Sequence, residues 1–351
     1  PTLLNGWEIV HERARVVDAF LLPFFDSILK NSPPGYRFVI GATGGYGRRE
    51  LLPNSDDDLI FMHEEGVSED DAFLNLYVKS LRELLAKTPG LGGSVIIKSP
   101  QDIPAFDTAT FSSSLDLRFL RGDSDFQNEV VKQLREQNRP LEFVLDHLSE
   151  LGKMDRRYPE GISNVPFNIK YGVGALRHFH TAMWLFGIEH FESLPQVYEK
   201  IPLEIRESVG ILLKARAWLN LIKGLSADNF GNRTKIAARD NDDFTIQDLN
   251  AFEQYFGHGS LKVLYDTRKA VKHFAEITIY ERLRKGIPVS EVLRYGEAGL
   301  KIDLGVSIES KNEHFWKMIL ELQKRGLSVD PQSYHYFISE AHTFAHSSPL
   351  F

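Results

Sequence analysis

The sequence predicts an α+β chain: a small mixed sheet with flanking helices, followed by a mainly α-helical domain. Three observations predict it. Phe38-Val39-Ile40 is an apolar, largely β-branched run that leads into Gly44-Gly45, and a second strand opens at Asp56-Asp57-Asp58 and continues as Leu59-Ile60-Phe61-Met62. A helical pattern then joins this strand to a third, Gly93–Lys98, which makes a strand-helix-strand unit. From about Leu203 to Glu340 the apolar spacing is helical.

The elements follow in order. Trp7 to Leu29 reads as an amphipathic helix, with Ile9, Val10, Ala14, Val17, Phe20 and Leu21 on one side, and Pro23 is expected to kink or end it. Ser32-Pro33-Pro34-Gly35 is a loop. After the second strand, Ser68 with Asp71 resembles a capping box opening a helix to Lys87, with Phe73, Leu76, Val78, Leu81 and Leu85 at helical spacing. Thr88-Pro89-Gly90 ends that helix, and Asp123 to about Arg157 reads as two helices divided near Pro140.

Composition bounds the function. The chain has 351 residues, 42% hydrophobic and 25% charged, with a formal net charge of −7 and no cysteine. Two domains suit that length. The missing cysteine excludes thiolate chemistry and disulfides. The negative balance argues against holding long nucleic acid through the overall field. No apolar run spans a bilayer, so no membrane partner is expected, and the charged N-terminal stretch does not read as a signal peptide. The chain reads as cytoplasmic.

The chemistry-bearing stretch is Gly41–Met62. In a strand, side chains i and i+2 share a face, so Asp56 and Asp58 project together and Asp57 points away. Two carboxylates on one face favour a hard divalent cation such as Mg²⁺. Gly44 and Gly45 beside them let backbone N–H groups approach a phosphate. The combination points to a nucleoside triphosphate, with Arg48 and Ser55 as further contacts. A second stretch, Pro166–Trp184, holds a glycine-rich turn between Lys170 and Arg177, a pair suited to clamping phosphate. His178 and His180, at i and i+2, face different directions and read as packing or surface residues. His342 and His346, at i and i+4, are a weaker metal-ligand pair at the chain end.

The order of strand, Gly-Gly, short helix, Ser-Asp-x-Asp and strand resembles the polymerase-β-like nucleotidyltransferase superfamily. The wording GGYGRRELLPNSDDDL is similar to its protein-PII uridylyltransferase branch. Ser114–Asp123 resembles that branch's Leu-Asp-x-Arg-x-Leu-x-Gly-Asp stretch, and Pro166–Trp184 resembles its Pro-Asn-x-Lys loop with the Thr-x-x-Trp helix. The resemblance implies a nucleotidyltransferase domain over 1–135 and a helical domain over 136–351. It implies Mg²⁺ on Asp56 and Asp58, and nucleotide contacts from Gly44, Gly45, Arg48, Ser55, Asn168, Lys170 and Arg177. It also implies a third catalytic carboxylate. The third strand carries no acid, so the candidates are Asp102, Asp107 and Asp116; the resemblance favours Asp116, whose other reading is an ion pair with Arg118 or Arg121. UTP as donor and a tyrosine of a small PII-type signalling protein as acceptor follow from the family, with a role in nitrogen regulation. The hydrolase and small-molecule-sensing domains of full-length members have no counterpart here. Asp57, Arg49, Tyr171, Ala175 and His178 depart from the family's wording, and the helix at Ile211–Leu219 leads to Asn220 where the family has His. These departures keep open a second function, a catalytically degenerate module that binds a nucleotide or a protein.

Overall fold

The computed structural model describes residues 5–53, 55–67, 71–137, 140–158, 166–188, 197–226, 242–285, 287–288, 293–296 and 299–302. The fold is α+β. The chain forms two compact units, one of residues 1–138 with 149–275 and one of 139–148 with 276–351.

The larger unit is built on a four-stranded mixed sheet in the order β3-β2-β1-β4. Strand β1 (Phe38–Ala42) is central and pairs antiparallel with β2 (Leu59–His63) and with β4 (Arg118–Gly122), while β2 pairs in parallel with β3 (Val95–Lys98). One face of the sheet, from Phe38, Ile40, Ala42, Leu59, Phe61 and Val95, packs on helices α1 (Gly6–Lys30) and α3 (Ala72–Lys87). In α1 the buried stripe is Val10, Ala14, Val17, Leu21, Phe25 and Ile28, spaced by three and four residues as one helical face requires. Each large side chain so buried contributes about 1.5–3 kcal/mol.

Several expectations are corrected. Helix α1 runs through Pro23 to Lys30, because buried Leu21 and Phe25 anchor it on both sides of the lost hydrogen bond. Phe20 is exposed, as is Leu76, whose place on α3 is taken by Leu74. Asp71 itself caps α3, accepting from the Leu74 N–H at 2.8 Å, and Ser68 lies outside the described residues.

Between β3 and β4 lies α4 (Thr108–Leu115), and after β4 come α5 (Ser124–Glu136) and α6 (Pro140–Arg157), the pair expected around Pro140. A two-residue ladder, β5 (Phe167–Asn168), leads into α7 (Leu176–Gly187) and pairs with β6 (Asp243–Phe244). Helix α8 (Leu203–Ser226) packs against α1. Helices α9 (Ile246–Phe256) and α10 (Ser260–Lys285) follow.

In the smaller unit, β7 (Ile287–Pro288), β8 (Leu293–Gly296) and β9 (Gly299–Ile302) form an antiparallel sheet where helix was expected. Gly286, Pro288, Gly296 and Gly299 interrupt the helical period there. The rest of the helical stretch expected to Glu340, beyond residue 302, and the His342/His346 pair lie outside the described residues.

Candidate functional site

Strand β1 delivers the first loop to the start of β2. The Thr43 N–H donates to the Asp58 carbonyl at 3.0 Å, and the short helix α2 (Gly44–Gly47) turns immediately afterwards. Gly44 has φ +57°, and a Cβ on it would stand 4.0 Å from Asp58 Oδ2. The turn is closed by Gly47 N–H on the Thr43 carbonyl, Arg48 N–H on Gly44 and Glu50 N–H on Gly45. Gly47 admits no side chain: a Cβ would lie 2.1 Å from the Asp116 carbonyl oxygen.

Strand β2 begins at Leu59 and not at Asp56 as expected, because the triplet's backbone bonds to the Gly92 and Thr43 loops, but burial still alternates along the triplet. Asp57 is fully buried toward α1, with Oδ1 3.6 Å from Arg13 Nη2 and Oδ2 accepting from the Gly92 N–H at 3.1 Å. Burial pushes its carboxyl up to about 6 against the pull of Arg13. Asp56 is exposed and Asp58 half-buried. Asp58 Oδ1 accepts from both the N–H (3.0 Å) and hydroxyl (2.8 Å) of Ser94, which fixes the carboxylate with Oδ2 on the Gly44 side. Asp58 thus supplies a hard oxygen donor next to a backbone cradle, with exposed Asp56 two residues before it. A Mg²⁺ ion that keeps its waters and shares substrate phosphates fits one or two such carboxylates. Among the described residues no cluster of three or more acids or histidines is arranged to hold a metal.

Behind the loop lies a buried polar network that the sequence did not announce. The Arg48 guanidinium donates to Asp116 Oδ2 and, from Nε, to Glu50 Oε2 at 3.0 Å. Trp184 Nε1 donates to Asp116 Oδ1 at 2.9 Å. His180 Nε2 lies 2.7 Å from Glu50 Oε2, and the Tyr198 hydroxyl donates to Glu50 Oε1. Burial pushes the Asp116 carboxyl up to about 6 despite Arg48 and Trp184. Burial also holds His180 down to about 4, so at neutral pH it is an uncharged donor to Glu50. Burial of Glu50 is outweighed by His180, Arg48 and Tyr198, which keep its carboxyl well below the ordinary range. The Arg48 charge is therefore already met by two carboxylates.

The second loop is rigid for local reasons. Asn168 is fully buried; its Oδ1 accepts from the Lys170 (3.0 Å) and Tyr171 (2.6 Å) N–H groups, and its Nδ2 donates to Asp243 at 2.7 Å. This is an Asx turn completed by Gly172, where a Cβ would meet the Asn168 carbonyl at 2.5 Å. Lys170 Nζ lies 4.9 Å from the Tyr171 ring centroid and the Arg177 guanidinium 5.5 Å from it. Burial and the nearby Arg216 charge pull Lys170 down. Burial raises the Tyr171 phenol, but Lys170 and Arg177 outweigh it and bring it below the ordinary value. Arg177 also lies over Trp184 at 5.1 Å and 3.8 Å from Glu150. Trp184 therefore links this loop to Asp116 and Arg48.

The structure thus brings Asp58 together with Gly44, and Arg48 together with Asp116. Arg118 and Arg121, the partners considered for Asp116, pair instead with Asp18 and Asp26. Asp102 and Asp107 accept from the N–H groups of Ser99 and Thr110 as helix caps. Ser55 Oγ accepts from the Leu52 N–H at 3.2 Å, and Asn168 shapes its own turn. His178 and His180 meet different acids, Asp155 and Glu50. Glu50 and Tyr198 escaped the sequence reading because a pairing between residues so far apart in the chain leaves no local pattern.

The chain is similar to the bifunctional uridylyltransferase/uridylyl-removing enzymes. It is 26% identical to that of Nitrosospira multiformis over 186 residues, 52% of this chain and 20% of the relative. It is 26% identical to one from Haemophilus influenzae over 228 residues, 62% of this chain and 26% of the relative. It is 30% identical to that of Caulobacter vibrioides over 190 residues, 52% of this chain and 20% of the relative. The chain thus spans about a fifth to a quarter of the length of these relatives. No family model matches it. No described helix is long and apolar enough to cross a membrane.

Proposed function

We propose that this chain is a Mg²⁺-dependent nucleotidyltransferase that moves a nucleoside monophosphate from a nucleoside triphosphate to an acceptor hydroxyl. The observation that carries it is Asp58, fixed by Ser94 with one oxygen turned to the Gly44 turn, next to exposed Asp56. Similarity to uridylyltransferases supports the reaction class. UTP as donor and a PII-type signalling protein as acceptor are the specific form of the proposal.

Asp56 and Asp58 would hold the metal, which when bound neutralises the triphosphate and the charge developing at the α-phosphorus. Gly44 and Gly45 donate backbone N–H groups to the outer phosphates. Lys170 and Arg177 supply cationic donors for the same anion. Arg48, Ser55, Asn168 and Asp116 act at one remove, holding the two loops in shape. The acceptor oxygen forms its bond to the α-phosphorus as the bond to the β-phosphate oxygen breaks; pyrophosphate leaves and the hydroxyl proton passes to solvent.

The test is a thermal-shift screen of ATP, CTP, GTP and UTP, with and without Mg²⁺, followed by pyrophosphate release with a PII-type acceptor. A nucleotide at a hundred times its Kd stabilises by about 2.7 kcal/mol. The shift should require Mg²⁺, and Asp56→Asn or Asp58→Asn should cut transfer by at least about 10²-fold while leaving the fold intact. Full turnover by Asp58→Asn would refute the assignment. A second reading, a catalytically degenerate nucleotide- or protein-binding module, is favoured by the burial of Asp116 between Arg48 and Trp184, which leaves two carboxylates at the loop. Saturable nucleotide binding with no pyrophosphate released would select it.

A further inference from the structure

A cleft of about 790 Å³ opens in the larger unit between the start of α1 and the first turns of α8. That volume lies in the range of small-molecule sites. Its walls are aromatic: the Trp7 ring stands 5.7 Å from His11 and 5.8 Å from Tyr198, edge-on to the latter. Ile201, Leu203 and Ile211 add apolar surface. Two cations, Arg206 and Lys214, and two carboxylates, Glu199 and Glu207, also line it, so their formal charges cancel. This lining favours a flat ring with polar edges over an ion.

The cleft is preformed. Trp7 Nε1 donates to the Arg206 carbonyl at 2.7 Å, which sets the ring's orientation. Gly6 and Gly210 bring the two helices into backbone contact: a Cβ on Gly6 would lie 1.9 Å from the Gly210 carbonyl oxygen. The cleft also reaches the buried network, because the hydroxyl of Tyr198 donates to Glu50. Glu50 in turn holds Arg48 and donates its own N–H to Gly45.

We propose that this cleft binds an uncharged planar heteroaromatic molecule and that its occupancy is passed to the Gly44–Gly47 turn through Tyr198 and Glu50. The binding half stands alone; the coupling half rests on the proposed nucleotide site. The probes are indole and adenosine, titrated into the full chain and followed by saturation-transfer NMR and calorimetry. At least one should bind saturably with a Kd below about 1 mM. Leu203→Trp fills the cleft from a side chain that is 64% exposed, so it keeps the fold. It should weaken the probe at least about tenfold, while Ile246→Trp, exposed on α9, leaves it unchanged. Absence of binding by both probes, equal affinity in Leu203→Trp, or strictly competitive displacement of the probe by UTP with Mg²⁺, growing without limit as UTP rises, would overturn the site. In the second arm, a saturating probe should shift the nucleotide Kd at least about threefold, and Tyr198→Phe should abolish that shift. Nucleotide binding indifferent to the probe overturns the coupling. A chain that binds the probe and no nucleotide instead refutes the proposed function and the coupling with it, leaving the cleft assignment standing.

Discussion

Asp57 makes the acidic triplet sensitive to pH from inside. Its folded value of about 6 lies above the ordinary 3.8 because burial penalises the charge more than Arg13 relieves it. Below about pH 4 folded and unfolded chains both carry the proton and its contribution is fully present; it is lost as pH rises through 6. Asp57→Asn removes this titration. Arg13 keeps carbonyl partners at Leu52, Ser55 and Gly90, so the variant does not strand a cation. In urea melts, Asn should gain on wild type by about 1–3 kcal/mol between pH 4 and 7.5. Asp116 titrates in the same sense and His180 in the opposite one, and both cancel in that comparison. Arg49 offers a second test. It stands at φ +60°, and it is one of the residues that depart from the resembled family's wording. The left-handed conformation costs an L-residue about 1–2 kcal/mol, which glycine avoids while losing part of that through a freer unfolded chain. Arg49→Gly should therefore leave stability within about 1 kcal/mol, whereas the β-branched Arg49→Val should cost about 2 kcal/mol, read as the shift in denaturation midpoint. The departure was legible in the sequence; its backbone reason was not.

At the scale of elements, the first loop is held by a charge cluster. Removing Arg48 strands the Asp116 and Glu50 carboxylates in a buried site. Arg48→Met should cost about 3–5 kcal/mol, and adding Glu50→Gln should recover part of it, as urea denaturation will show. The sequence showed where β1, β2 and β3 lie because each is a short apolar run between turn signals. It did not reveal β4 as a strand. Arg118 and Arg121 make that segment look like a solvated stretch, yet they reach Asp18 and Asp26 of α1 and leave only Leu120 buried. The Gly-Asp ending has a structural cause. A Cβ on Gly122 would lie 2.4 Å from the Phe38 carbonyl, and Asp123 caps α5 through the Phe126 N–H at 2.7 Å. The buried network joins residues far apart in the chain, and such pairings leave no local pattern.

For the whole molecule, the sequence showed the sheet-then-helix order through to α10, because long periodic segments carry their own signal. It missed the β7–β9 sheet, where glycines and Pro288 break that period. The central position of β1 has a consequence for how the protein is made. Both edges of β1 are occupied only when β2 and β4 have arrived, and β4 ends at Gly122. A nascent or truncated chain that stops before it presents an apolar strand, buried at every residue in the finished fold, with one edge open to other chains. Expression of fragments ending within α4 should give aggregates, and fragments that extend through α5 should be markedly more soluble. Chaperone demand during synthesis should fall once β4 has left the ribosome.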